Sequence, residues 1–310
     1  MRPRALAYRA IGLGDLLTGV PALRALRRAL PDHELVLAAP ASQRPLVALA
    51  DAVDTLLPTE ELAPVAWSGP PPEVAVDLHG NGPASRRLLE RLSPGRLVAF
   101  EIPGGPRWDP EEHERERWCR LVSTAFPGTE VAADPDDVRL APPAAPSPAP
   151  GAAVVHPGAA SGSRRWPAER FAAVARALAD AGHRVVVTGS PAEERLADDV
   201  RRRAGLPPDA LLAGRTDLEG LAAVAAGARL VVCGDTGMAH LASAYATPSV
   251  VLFGPTPPSR WGPPPGPHTV LWHGSRAGDP HADAPDPALL RITVEEVVAA
   301  ARSVLLARRS

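Results

Sequence analysis

Three short segments gather the residue types and spacings that can do chemistry. The first is Ile11-Gly12-Leu13-Gly14-Asp15-Leu16-Leu17-Thr18-Gly19-Val20-Pro21, directly after an apolar run. Gly12 and Gly14 let the backbone turn sharply and approach a ligand closely. Asp15 stands where a helix should begin, and two roles stay open for it. As an N-cap it would satisfy the helix's own amides, and as a general base it would take a proton from an attacking hydroxyl. A dinucleotide fingerprint needs Gly-x-Gly-x-x-Gly. Leu17 occupies its third glycine position and Gly19 is out of register, which disfavours a nicotinamide oxidoreductase.

The second segment is His156-Pro157-Gly158-Ala159-Ala160-Ser161-Gly162-Ser163-Arg164-Arg165-Trp166-Pro167, which leaves a strand and enters a helix. Small residues expose backbone N–H groups, Ser161 and Ser163 add hydroxyls, and the helix start adds a positive end, together suiting a phosphate. Arg164 or Arg165 would supply charge-assisted bonds; an ordinary surface loop with solvated arginines is the alternative. The third segment is Cys233-Gly234-Asp235-Thr236-Gly237-Met238-Ala239-His240, again a strand opening into a helix. Asp235 can accept bonds from two sugar hydroxyls, while Thr236 and Gly237 can donate backbone N–H groups to phosphate. His240 falls on the first helical turn, where binding and packing are both open to it. Phe253-Gly254-Pro255-Thr256 repeats the strand-then-turn design.

Around these segments the elements alternate. In the first half the strand candidates are Ala5–Arg9, Glu34–Ala38, Val74–Leu78 and Leu97–Phe100, and the helices are Asp15–Leu30 and Glu111–Ala125. Ala141–Gly151, rich in proline, enters neither helix nor central strand and reads as a stiff linker. Beyond it come strands Ala152–His156, Arg184–Thr188, Arg229–Cys233 and Ser249–Phe253. The helices there are 167–181, 191–204, 217–226 and 238–246, with a closing helix 293–308 whose Thr293 and Glu296 stand at capping-box positions. Thr256–Pro267 and Gly278–Pro287 read as loops. Such alternation predicts an α/β fold with parallel sheets, which bind ligands at strand C-terminal ends.

The chain has 310 residues, 45% hydrophobic and 22% charged, with a formal net charge of −2. Two globular domains are expected at this length, and no basic field points to nucleic acid. Every basic residue is Arg, since the chain contains no Lys; Schiff-base and P-loop lysine chemistry are therefore excluded. Cys119 and Cys233 lie in no metal-ligand spacing and suggest a reducing compartment. Arg9 and Asp15 interrupt the first apolar run, so a signal peptide or membrane span is not expected there, and a cytoplasmic protein is. Arg24, Arg27 and Arg28 form either a solvated helix face or a contact with an anionic membrane surface or acceptor.

Taken in order, these segments resemble the heptosyltransferase family of GT-B glycosyltransferases. The Asp-Thr-Gly-x-x-His core from Asp235 to His240 is the specific part. The Gly-x-Gly-Asp run before Pro21, the loop from His156 to Pro167 and the Gly254-Pro255-Thr256 turn accompany it. The resemblance implies two Rossmann-like doubly wound parallel-sheet domains facing across a cleft. Residues 1–145 would form the acceptor side and 146–310 the nucleotide-sugar side, with the closing helix able to pack back on the N-terminal domain. It also implies inverting transfer from a nucleotide-diphosphate sugar, often ADP-heptose, to a hydroxyl of a glycan or glycolipid. No clustered Asp or His points to an obligatory metal or cofactor, and peripheral membrane contact stays open.

In that frame Asp15 matches the base. Ser161, Ser163, Arg164, Thr236 and Gly237 match the donor phosphate site, and Asp235 and His240 the donor sugar site. Gly12, Gly14, His79 and Asn81 lie on the acceptor side. Arg164 stands where relatives carry Lys, exchanging a point donor for a planar fork, and His79 where Gln is usual. The rival readings are a nucleotide-sugar 2-epimerase of the same architecture and a non-catalytic sugar-nucleotide-binding protein. The sugar, base, acceptor and oligomeric state are not legible in the residues.

Overall fold

The computed structural model describes residues 2–128 and 133–307; Arg308, expected at the end of the closing helix, lies outside them. The chain divides into two compact units, Met1–Ala141 and Pro142–Ser310. The boundary falls within the proline-rich segment, where residues 141–150 form no helix or strand.

The first unit runs β1 (Arg4–Tyr8), α1 (Leu13–Ala29), β2 (Glu34–Ala39), α2 (Arg44–Ala50), β3 (Thr55–Pro58), β4 (Val74–Asp77), α3 (Pro83–Glu90), β5 (Arg96–Val98) and α4 (Glu114–Ala125). Its strands form one parallel sheet in the order β3-β2-β1-β4-β5. The inner strands β1 and β4 are apolar because helices cover both faces of such a sheet. Leu6, Tyr8, Val36, Ala75 and Leu89 pack into one core cluster. The chain order reverses between β1 and β4, which sit side by side with Tyr8 opposite Asp77.

Helix α4 starts at Glu114 rather than at Glu111, because Asp109 captures the amide of Glu111 at 2.9 Å and holds residues 109–112 in a turn. On α1, Arg24 donates to the Asp137 carboxylate at 2.5 Å and to the Ala50 carbonyl at 3.2 Å, while Arg27 pairs with Asp54. Those two arginines tie the helix to its own unit while staying partly exposed.

The second unit runs β6 (Ala153–His156), α5 (Ala168–Asp180), β7 (Val185–Val187), α6 (Glu194–Ala204), α7 (Leu218–Gly227), β8 (Leu230–Gly234), α8 (Gly237–Ala244), β9 (Ser249–Phe253), α9 (Pro258–Trp261), β10 (His268–Trp272), α10 (Pro287–Arg291) and α11 (Val294–Ala307). Its parallel sheet has the order β10-β9-β8-β6-β7, so the reversal lies between β6 and β8. Both units are thus Rossmann-like α/β sheets of five parallel strands.

The stretch 256–267 is not wholly loop, since Pro258 opens α9 with its φ already set for a helix. Thr293 and Glu296 cap α11 reciprocally, with bonds of 2.8 and 3.2 Å. The apolar stripe of α11 is used within its own unit: Val297, Ala301 and Leu305 are buried in the cluster that holds Trp166, Phe171 and Val232. Cys119 and Cys233 are buried thiols, and burial pushes that of Cys119 up to about 12. Among the described residues, no helix is long and apolar enough to cross a membrane.

Candidate functional site

Open parallel sheets bind ligands beyond the strand ends where the order reverses. In the first unit those ends are β1 and β4. Gly12, in extended backbone, is the N-cap of α1. Asp15 therefore stands inside the first turn and not at the cap. That position still favours a carboxylate, because the helix dipole is positive there. A Cβ on Gly12 would lie 3.3 Å from the Asp15 carboxylate, so a residue without a side chain avoids crowding it. The loop is pinned by Gln43, which donates to the Ile11 carbonyl at 2.6 Å.

At the end of β4 the Asp77 carboxyl is 1% exposed. It accepts from the Ser85 hydroxyl at 2.7 Å and from the His79 amide at 3.0 Å. Burial outweighs those bonds and pushes its pKa up to about 6. The His79 ring stacks obliquely on Tyr8, with centroids 5.0 Å apart, and its Nδ1 is buried with no hydrogen-bond partner among the described residues. Burial, aided by the positive charge of Arg9, holds His79 down to about 4, so the ring is neutral near pH 7. Asn81 is exposed just beyond it.

In the second unit the reversal brings the loop after β6 beside the turn after β8. His156, which ends β6, is buried and bonds through Nδ1 to the Thr188 hydroxyl at 3.0 Å. Burial depresses its pKa, so it ties β6 to β7 as a neutral ring and supplies no cation. Arg164 donates to the Ser161 hydroxyl at 3.3 Å and reaches within 3.9 Å of the Asp235 carboxylate. Arg165 turns instead to the Ala159 carbonyl at 2.9 Å. Of the two arginines, Arg164 is therefore the one that joins the loop to the turn.

Ser161 also donates to the Pro280 carbonyl at 2.5 Å and lies 3.0 Å from the Ser163 hydroxyl. Ser163 itself is only 1% exposed. Its amide donates to Ala282 at 2.8 Å and its carbonyl accepts from Asp286 at 3.0 Å. Ser163 is thus turned inward, while Ser161 and Arg164 stay partly exposed and Arg165 is exposed. Asp235 is 4% exposed, Thr236 is the N-cap of α8, and Gly237 opens that helix with its amide in the donor-rich first turn. His240 is half-buried, its ring edge-on to Trp261 at 5.9 Å.

Close backbone approach brings these segments together. A Cβ on Gly234 would lie 3.1 Å from the Arg164 carbonyl oxygen, and one on Gly254 would lie 3.3 Å from that of Ser163. The Gly254 turn and the 278–287 loop are therefore walls of the same site. Among the described residues, no group of three or more His, Cys, Asp or Glu could hold a metal ion.

The model of glycosyltransferase family 9 (heptosyltransferase) matches residues 109–288, more than half of the chain. The chain belongs to this family. The matched stretch contains the Ser161–Arg164 and Asp235–His240 segments, whereas Asp15 and His79 precede it. Lipopolysaccharide heptosyltransferase 2 of Escherichia coli (strain K12) is 30% identical over 161 residues, which is 48% of this chain and 45% of that protein. Lipopolysaccharide heptosyltransferase 1 of Pseudomonas aeruginosa is 41% identical over 97 residues, covering 31% of this chain and 26% of that one. The chain thus spans less than half the length of the curated relatives it matches.

The solved ADP-heptose lps heptosyltransferase II of E. coli superposes with a TM-score of 0.78 at 20% identity, over 99% of this chain and 100% of that one. The E. coli heptosyltransferase WaaC with ADP does so at 0.72 and 22%, over 97% and 99%. These likenesses establish the shared GT-B fold.

Two residues that matter to the site escaped the sequence reading. Arg9 and Glu114 form a buried ion pair at 3.4 Å behind Asp15. Arg9 did leave a signal, a charge at the end of an otherwise apolar strand followed closely by glycines. Glu114 lies far along the chain and left none.

Proposed function

We propose that this protein is an inverting glycosyltransferase that moves a heptose from ADP-heptose to a hydroxyl of a lipopolysaccharide-type glycolipid. The observation that carries the reading is the meeting of Arg164, Ser161 and Asp235 at the switch point of the second sheet, in a chain of the heptosyltransferase family. The first unit is the acceptor-side domain and the second the nucleotide-sugar domain. Solved relatives that carry ADP and ADP-2-deoxy-2-fluoro heptose support this choice of donor.

In this reading the acceptor oxygen attacks the anomeric carbon and the bond from that carbon to the diphosphate oxygen breaks. Its electron pair leaves with ADP, and the acceptor proton passes to Asp15. Arg164, Ser161 and the amides at Thr236 and Gly237 stabilise the charge that grows on the leaving diphosphate. Ser163 supports Ser161 from beneath. Asp235 and His240 hold the sugar hydroxyls. Gly12 and Gly14 shape the acceptor side, with His79 and Asn81 as its polar groups. The groups named need no further cofactor. The reaction belongs on the cytoplasmic side, in peripheral contact with the membrane that carries the acceptor, and the buried, unpaired cysteines suit that compartment.

Replacing Asp15 with Ala should abolish transfer while leaving ADP affinity within about twofold, since base and donor site are separate groups. Equal loss of both would make Asp15 structural and overturn its role. Conversion of ADP-heptose without acceptor would favour the epimerase reading, and failure to release ADP across a panel of acceptors would favour a binding protein.

A further inference from the structure

Arg9 leaves the end of β1 and is almost wholly buried, at 1% exposure. Its Nε donates to the carbonyl of Asp15 and its Nη1 to the carbonyl of Leu78. Nη2 donates to the Thr18 hydroxyl at 3.1 Å and reaches Glu114 at 3.4 Å. Thr18 in turn donates to the Asp15 carbonyl at 3.0 Å. One planar group therefore grips the helix turn that carries Asp15 and the strand end that carries His79.

The Arg9 guanidinium is itself fixed. It lies 4.7 Å from the Trp118 ring centroid. Trp118 donates to Glu114 at 2.7 Å, and Arg117 pairs with the other oxygen of Glu114. Gly19 makes the arrangement possible, because a Cβ there would lie 2.7 Å from Arg9 Cδ and Nε. A glycine inside a helix is unfavourable relative to alanine, and the chain accepts it where Arg9 must pass.

We propose that Arg9 is a positioning residue for transfer, locking the Asp15 turn and the Leu78–His79 strand end to one buried point. The proposal rests on Asp15 being the base. A buried ion pair is weak evidence for stability by itself. What a guanidinium adds over an apolar side chain, or over a lysine, is a rigid fork able to hold two carbonyls from different elements at a set separation. That separation matters because a displacement of about 1 Å in a reacting geometry can cost about 100-fold in rate.

The test is Arg9→Lys in the full chain, which keeps a cation for Glu114 but loses the fork, with the isosteric Thr18→Val as the second variant. We expect faster amide hydrogen exchange in residues 12–18 and 78–82 for Arg9→Lys. We also expect kcat for ADP release, with ADP-heptose and heptose-free lipopolysaccharide, to fall about 10- to 100-fold, with ADP affinity unchanged. Thr18→Val should lower kcat several-fold in the same pattern, and it decides the matter if Arg9→Lys does not fold. Unchanged exchange in both segments, or kcat within twofold of native in a folded variant of either kind, overturns the proposal. An Asp15→Asn protein that keeps full turnover would overturn the base reading itself, and with it the positioning role that rests on it, whatever the exchange data show.

Discussion

At the ends of β1 and β4 geometry is held by one buried side chain, whereas at the ends of β6 and β8 it is held by main chain packed on main chain. In the first unit Arg9 collects the Asp15 and Leu78 carbonyls and is braced by Glu114 and Trp118. In the second, Gly162, Gly234 and Gly254 let backbones approach so closely that a methyl group would collide or press. The contrast follows from what each site must do in the proposed reaction. Placing a single carboxylate calls for one rigid brace. Surrounding a diphosphate calls for several segments presenting amides and hydroxyls at once, and close main-chain packing delivers those without a charged core.

The largest effect that would break this contrast is expected at Gly162. A Cβ there would overlap the Asp283 carbonyl oxygen. That carbonyl cannot retreat easily, because Ser163 bonds to Ala282 and Asp286 on either side of it, at 2.8 and 3.0 Å. Overpacking of this kind costs about 1–3 kcal/mol. Gly162→Ala should therefore lower the melting temperature by several degrees and weaken ADP binding at least about tenfold. Gly19→Ala should cost less stability, since it presses on a side chain and regains helix propensity of about 1 kcal/mol. It should lower kcat and leave ADP affinity alone. Equal loss of stability and of ADP affinity in the two variants would mean that the units are not built on different plans.

A smaller effect is expected at Arg164. Its fork bonds to Ser161 at 3.3 Å and stands 3.9 Å from Asp235, so it can turn to a phosphate without losing a strong partner. Hydrogen bonds to charged groups are worth about 1.5–3 kcal/mol. Arg164→Ala should thus weaken ADP binding about 10- to 100-fold by calorimetry, while Arg165→Ala, which releases only the Ala159 carbonyl, should change it less than twofold. The reverse ranking would move the phosphate contact to the other arginine.

The sequence and the structure agree most closely where the signal is local. Buried runs such as Val231–Cys233 and the glycine turns after them predict strands and ligand-facing loops, because a sheet covered on both faces demands continuous apolar residues. The edge strands β3 and β10 escape for the same reason, being only partly buried. Helix α3 escapes because its eight residues, Pro-Ala-Ser-Arg-Arg-Leu-Leu-Glu, hold one pair of leucines and are too short to show a repeat. Within the candidate site, type and spacing single out Asp15 and Asp235 as candidates and leave Arg164 and Arg165 as alternatives. The inward turn of Ser163 was not, since it depends on the 278–287 loop more than 100 residues away. Arg9 and Glu114 meet across a separation of 105 residues, and no window of the sequence holds both.

The smallest expected effect is a titration signature of the side-chain plan in the first unit. Folded Asp77 keeps its proton up to about pH 6, whereas the unfolded chain loses it near 3.8. Acidification from pH 6 to 4 therefore stabilises the fold through Asp77, by on the order of 1–2 kcal/mol. His79 has the opposite sign. Unfolded, it binds a proton near 6.5, and folded only near 4, so the same acidification destabilises the fold through His79. In the native chain the two slopes oppose each other. Asp77→Asn should lose more stability than the native protein between pH 6.5 and 4.5, and His79→Gln should lose less, as read from urea midpoints at the two values. Comparing each variant with native cancels the other depressed histidines, His156 and His268. If both variants follow the native slope, the first unit's strand ends are more open to water than their packing implies, and the brace behind Asp15 would have to hold its geometry without a dry interior.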